Sequence, residues 1–279
     1  MGWNGKRLGS LALAAAAAWL AATGVAHAGI ADTKHNLTAP PVNSNKFTPT
    51  DPVTGTEICV FCHTPHGADT SASVPLWNRK LAAPASYQTY DQLKTSTLDG
   101  KVVSVGSVSL ACLSCHDGQT AMSTVINAPG SGNYDPNGFP IPGTWTGANV
   151  NPDGTLKAGV ISNIGKDLKN DHPVGIQYGG GGITATTPTA ATRDPDFKAP
   201  QNATLNGSLV WWVDTAAGAT GSRQKTDMIL YTRNEATAAG QDEPFVECAS
   251  CHDPHSSTNP TFLRIANTGS AVCLACHTK

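Results

Sequence analysis

The chain has 279 residues and a mass of 28.8 kDa, room for one or two compact domains. Its 18 Lys and Arg against 20 Asp and Glu give a net charge of −2 and a pI near 6.5, which argues against the basic stripe of a nucleic-acid binder. Charged residues make up 14% of the chain and aromatics 6%, with 28 Gly and 19 Pro in their place, so the supply for a conventional core is thin and something besides side-chain packing is expected to fill the interior.

At the N-terminus, Lys6 and Arg7 precede an apolar run from Leu8 to Val25, and Ala26-His27-Ala28 has the small-residue pattern of a cleavage site. This predicts a signal peptide over residues 1–28, with Gly29 the first mature residue and the net charge falling to −4 as two cations leave. No later segment reaches the ~18 uninterrupted apolar residues of a membrane helix, so no stable membrane span is expected after cleavage. His35 then lies in a short terminal arm, and termini are poorly ordered unless something ties them down.

Ile58-Cys59-Val60-Phe61-Cys62-His63-Thr64-Pro65-His66 follows, then Pro75-Leu76-Trp77-Asn78-Arg79, then Ala111-Cys112-Leu113-Ser114-Cys115-His116. From about 119 to 245 the chain is rich in turn formers such as Asp135-Pro136-Asn137-Gly138 and the glycine run 179–182. Short β-like runs punctuate it: Ser208–Val213 and Asp227–Thr232 are expected to pair as an antiparallel ribbon. Asp171-His172-Pro173-Val174-Gly175 puts a histidine in this segment, so it is expected to fold back on the rest. The C-terminal part repeats the opening pattern: Glu247-Cys248-Ala249-Ser250-Cys251-His252-Asp253-Pro254-His255, then Pro260–Arg264, then Val272-Cys273-Leu274-Ala275-Cys276-His277. Each half carries two C-x-x-C-H strings, and Pro75–Arg79 aligns with Pro260–Arg264. The first cysteines are 53 residues apart in one copy and 25 in the other, the longer copy holding extra residues around Leu81 to Ser109.

All eight cysteines fall in these four strings. An exported chain with eight Cys would by default be a disulfide scaffold, but the spacing overrules that default. C-x-x-C-H is the c-type haem attachment signature: two thiols add to the vinyl groups on one porphyrin edge, and the next residue turns its imidazole toward the iron. One such string can be a redox dithiol or half a zinc site, whereas four with no cysteine left over point to four covalently bound haem c groups. The covalent positions are Cys59, Cys62, Cys112, Cys115, Cys248, Cys251, Cys273 and Cys276, and the proximal ligands His63, His116, His252 and His277.

Four histidines remain in the mature chain, His35, His66, His172 and His255, and four irons need four more axial ligands. The closed count predicts bis-histidine ligation throughout. Methionine is the competing sixth ligand, and only Met122 and Met228 are present after cleavage. His66 and His255 each stand three residues beyond a proximal histidine, a reach of roughly 10 Å at most, with a proline stiffening the path. Neither can pass around its own porphyrin to the far face, so each is expected to serve a different haem and make the haems neighbours. His35 is expected to ligate within its own subunit or across to the next.

The Cys-x-x-Cys-His-x-Pro-His strings resemble the doubled C-x-x-C-H multihaem cytochromes c. Lys34-His35-Asn36-Leu37, Ile58–Gly67 and Asp171–Gly175 are similar to segments of extracellular cytochromes from metal-reducing bacteria, most of all the tetrahaem OmcE-type subunits of cytochrome filaments. The resemblance covers the haem-bearing parts and carries little of the middle segment. It implies an irregular, loop-rich multihaem cytochrome c fold with little regular secondary structure, short helices at the C-x-x-C-H motifs, a few β-strands and a core of stacked haems. One tetrahaem domain is expected over 29–279, with haem pair 1 at 58–118, an attachment-free segment at about 119–245 and haem pair 2 at 246–279. The implied function is electron transfer, without catalysis, by a secreted, extracellular or cell-surface protein that polymerises with itself. Its partners would be other cytochromes and extracellular acceptors. The alternatives are a soluble periplasmic tetrahaem carrier and a multihaem oxidoreductase, which would need an open iron position.

Overall fold

The computed structural model describes residues 29–41, 44–50, 57–71, 73–130, 133–171, 173–215, 221–234 and 242–279. The segment 1–28, expected to be a signal peptide, and His172 lie outside these residues. Within them the chain is loop-rich, with three α-helices, α1 (Ser107–His116), α2 (Cys248–Cys251) and α3 (Ala271–Cys276), each carrying a C-x-x-C-H string. The first string forms a 3-10 turn at Cys59–Phe61. None of these helices is long and apolar enough to cross a membrane.

Nine strands are described: β1 (Lys46–Pro49), β2 (Thr124–Asn127), β3 (Tyr134–Pro140), β4 (Gly143–Thr146), β5 (Ile176–Gln177), β6 (Gln201–Leu205), β7 (Ser208–Val213), β8 (Met228–Arg233) and β9 (Glu243–Val246). Two antiparallel pairs, β1 with β4 and β2 with β3, flank the first two motifs, and a five-stranded sheet ordered β5-β9-β8-β7-β6 backs the last two. The expected ribbon is present as β7 against β8, Trp211 opposite Leu230, but it is the centre of a larger antiparallel sheet. The β6–β7 connection is Asn206-Gly207, with φ of 50° and 80°. Two consecutive residues at positive φ make the two-residue hairpin whose twist suits the flanking strands, and Asn-Gly supplies it at least cost. β7 ends in Trp211, Trp212 and Val213, each at most 1% exposed, so both sheet faces are covered there.

The apolar core is small and divided. One cluster (Phe47, Phe61, Val125, Trp145 and others) packs against Cys62 and Cys115. A second (Tyr178, Ile183, Trp211, Met228 and others) packs against Cys251 and Cys276, and a third (Val105, Leu110, Leu113, Leu168 and others) against Cys248. The thin supply of large side chains is thus gathered around the attachment cysteines.

The duplicated halves superpose with a register their sequences do not suggest. In the first, Thr64 N–H donates to the Leu76 carbonyl and Asn78 N–H to the Cys62 carbonyl; in the second, Asp253 N–H donates to Phe262 and Arg264 N–H to Cys251. Leu76 and Phe262 share the left-handed backbone, with φ of 57° and 62°. Asn78, not Arg79, is therefore the counterpart of Arg264. The matching Arg letters had suggested the alignment one residue away, but the backbone bonds to the motif set the register.

Candidate functional site

Each C-x-x-C-H string makes one helical turn, so its two thiols emerge on one side and the histidine follows at the end of the turn. In three strings the histidine N–H donates to the carbonyl of the first cysteine: His63 to Cys59 at 2.8 Å, His252 to Cys248 at 3.2 Å and His277 to Cys273 at 3.0 Å. Three of the rings are then fixed by a backbone carbonyl at Nδ1: Pro75 for His63 at 2.8 Å, Ser162 for His116 at 2.7 Å and Thr261 for His252 at 2.7 Å. A carbonyl at Nδ1 requires a proton there and leaves Nε2 as the lone-pair nitrogen, the second-shell device that orients a metal-bound imidazole. His277 instead lies with its ring centroid 4.2 Å from that of Phe197.

The Ser162 carbonyl reaches His116 because the loop around it caps α1. Ile164 and Gly165 N–H both donate to the His116 carbonyl, and the helix exits through Gly118 at φ +67°. A Cβ on Gly118 would meet the Asn163 side chain at 2.3 Å, so only glycine lets the loop close.

The four strings follow one another in space in chain order. Burial pushes the Cys62 thiol up to about 12, and the thiol of Cys115 is near enough to add to this. The neighbouring Cys248 side chain, then burial, hold the Cys112 thiol well above its ordinary value. Burial pushes Cys276 up to about 12, with Cys251 as its nearest like charge. Packing runs the same way: Cys62 and Cys115 share one apolar cluster, Cys251 and Cys276 another, and Ser109 Oγ in α1 accepts the Cys248 N–H between motifs 2 and 3.

The histidines expected as distal ligands divide in three. His255 lies opposite His63, ring centroids 6.3 Å apart and planes 20° apart. His35 lies opposite His116 at 6.1 Å and 66°, and stacks on Phe262 at 4.4 Å. Burial, then His116, lowers the His35 pKa to about 4, which keeps the ring neutral. His66 is exposed, and no ring contact is described for it; His172 lies outside the described residues. The terminal arm thus folds back on its own chain, and His255, from the second half, stands against the first motif.

Two imidazoles bonded to one metal through Nε2 at about 2 Å put their centroids about 6 Å apart. Both pairs fit that separation, so the residues suit a group that takes two protein ligands and supplies the rest itself. Among the described residues no cluster of three or more His, Cys, Asp or Glu is arranged to hold a bare metal ion.

Sequence reasoning passed over the residues that brace the motifs. Asn78 is fully buried; its Nδ2 donates to the Val60 carbonyl at 2.7 Å and the Asn127 carbonyl at 2.9 Å. Arg79 is also fully buried, and its guanidinium donates to the carbonyls of Ser114, Ala121 and Met122 between 2.8 and 3.3 Å. Polar residues beside an apolar tryptophan, next to a motif, were the available signal.

Residues 240–279, which hold motifs 3 and 4, match the family described as the doubled CXXCH motif. No curated protein matches the chain significantly. The motif indicates covalently bound c-type haem, and the match supports a multihaem cytochrome that transfers electrons, in a class of proteins that are typically exported.

Proposed function

We propose that the mature chain is an exported tetrahaem c-type cytochrome that passes electrons along four closely spaced bis-histidine haems and polymerises outside the cell into a filament of the OmcE type. The observation that supports this reading is the row of linked motifs, 1 to 4 in chain order, with His63–His255 and His116–His35 paired beside it. In this reading His255 is the distal ligand of haem 1 and His35 that of haem 2. His172 then serves His252, and His66 serves the haem of His277 in the next subunit. His66 stands at the motif 1 end of the row and His277 at the motif 4 end, so the bond would join head to tail. Contacts of that kind propagate into open filaments when the rotation does not close.

When bound, haem supplies the one-electron ferric/ferrous couple. The chain's own residues attach it through paired cysteines, orient the imidazoles through the carbonyls at Nδ1, and hold the row together. Closing every iron with two imidazoles suits electron transfer and disfavours an oxidoreductase.

The test is a His66→Ala variant, examined by intact mass, spectroscopy and electron microscopy beside the unchanged protein. The unchanged protein should form filaments with four low-spin haems per chain. The variant should keep four haems, show one high-spin haem that binds carbon monoxide, and stay monomeric. Filaments with four low-spin haems in the variant would remove His66 from the ligand set, and an unchanged protein that is monomeric would favour the periplasmic carrier.

A further inference from the structure

The two halves of the duplication meet where motif 2 faces motif 3. Among the described residues no backbone hydrogen bond joins α1 to α2; the joint is made by side chains. Glu247, the N-cap of α2, is 1% exposed. Its carboxylate accepts from Ser109 Oγ of α1 at 2.5 Å and from Arg233 Nη1 of β8 at 2.6 Å. Ser109, also fully buried, accepts the Cys248 N–H at its Oγ at 2.9 Å. Arg233 uses Nη2 on the Ser104 carbonyl, just before α1, at 2.9 Å, and Glu247 N–H donates to Ser250 Oγ. The residue before the first cysteine is Ile58, Ala111 and Val272 in the other three motifs, so motif 3 alone carries a carboxylate at that position.

We infer that Ser109, Glu247 and Arg233 form a clamp that fixes motif 3 against motif 2 and so sets the geometry of the electron step between the two halves. Burying an ion pair adds little net stability by itself, because desolvation offsets the attraction, whereas fixing a unique arrangement is its better attested use. Every bond of the network either crosses the joint or orients a group that does. Ser109 Oγ holds the backbone N–H of Cys248 itself, and Cys112 lies one turn further along α1. In the tetrahaem reading these two cysteines attach haems 2 and 3, so a slip of α2 along α1 moves one haem edge past the other. These are positioning residues; none touches iron.

The inference rests on the tetrahaem reading, and its test separates the two. Ser109→Ala removes both hydroxyl bonds and leaves the Arg233–Glu247 pair intact; Glu247→Gln removes the charge. Holoprotein of each variant is first weighed. Fewer than four haems in the unchanged protein would sink the tetrahaem reading and with it the clamp. With four haems present, the exciton-coupled circular dichroism of the Soret band and the spin–spin broadening of the ferric signals report the spacing between haems. Both variants should lose part of the exciton amplitude and change the broadening while all haems stay low-spin. If Glu247→Gln does not accumulate, Ser109→Ala decides alone. A Ser109→Ala holoprotein that melts earlier but keeps both spectra would overturn the inference, leaving a merely stabilising network and an intact tetrahaem reading.

Discussion

Replacing Arg79 with Ala should be among the most damaging single changes outside the motifs. The side chain is fully buried and spends four hydrogen bonds on three carbonyls, two of them in the turn at Ala121 and Met122 and one inside motif 2. A hydrogen bond from a charged donor contributes about 1.5–3 kcal/mol, and a buried acceptor left without a partner costs about 1–3 kcal/mol. Ala121 keeps a second donor, the N–H of Thr124, so two carbonyls are left to carry most of the loss. The expected destabilisation is about 3–5 kcal/mol, a large share of the roughly 5–15 kcal/mol that holds a domain together. At about 2–4 °C per kcal/mol for a chain of this size, the melting temperature followed by far-ultraviolet circular dichroism should fall by roughly 10 °C. Arg79→Lys, which keeps the charge but lacks the planar fork, should fall between the two proteins. A holoprotein of Arg79→Ala melting within about 2 °C of the parent would refute the reasoning, because two buried carbonyls cannot go unsatisfied for so little.

Intact mass should show the mature polypeptide plus four haems, and Cys59→Ser with Cys62→Ser should remove one of them; free thiols or disulfides in the parent would contradict this. His255→Ala and His35→Ala should each leave haem attachment intact and turn one low-spin haem high-spin, seen in the visible spectrum and by carbon monoxide binding. Gly118→Ala should cost about 1–2 kcal/mol for the left-handed backbone alone, more with the Asn163 contact, and should alter the spectrum of the haem held by His116 as its Ser162 bond loosens; thermal melts and low-temperature resonance spectra check both.

What the sequence made legible was chemistry fixed by adjacency. C-x-x-C-H needs only one helical turn to assemble, so four motifs could be read from letters alone, as could the β7–β8 ribbon from its apolar run. Asn206-Gly207 is equally local, since Asn-Gly is by itself a signal for the two-residue hairpin. Contacts between distant segments were not legible. Nothing in the spacing of the histidines says that His255 stands opposite His63 or His35 opposite His116, because those meetings depend on how the loops between them run. The carbonyls at Nδ1 come from Pro75, Ser162 and Thr261, and a backbone oxygen leaves no trace in a residue's name. The alignment of Arg79 with Arg264 was misled by identity, because the backbone bonds to the motifs place it one residue away, at Asn78.

The meeting of His63 and His255 has a consequence for the order in which the protein matures. The two rings are separated by 192 residues, so in the proposed ligation the first site is finished only by a histidine of the second half. A polypeptide crossing a membrane emerges from its N-terminus, and thiols can be loaded as they appear. The partner of His63 is still on the far side when Cys59 and Cys62 arrive. In the proposed reading the first site waits, half built, until the second half of the chain has passed, while His35 and His116 can meet once less than half of it is through. The second site can therefore be completed before the first.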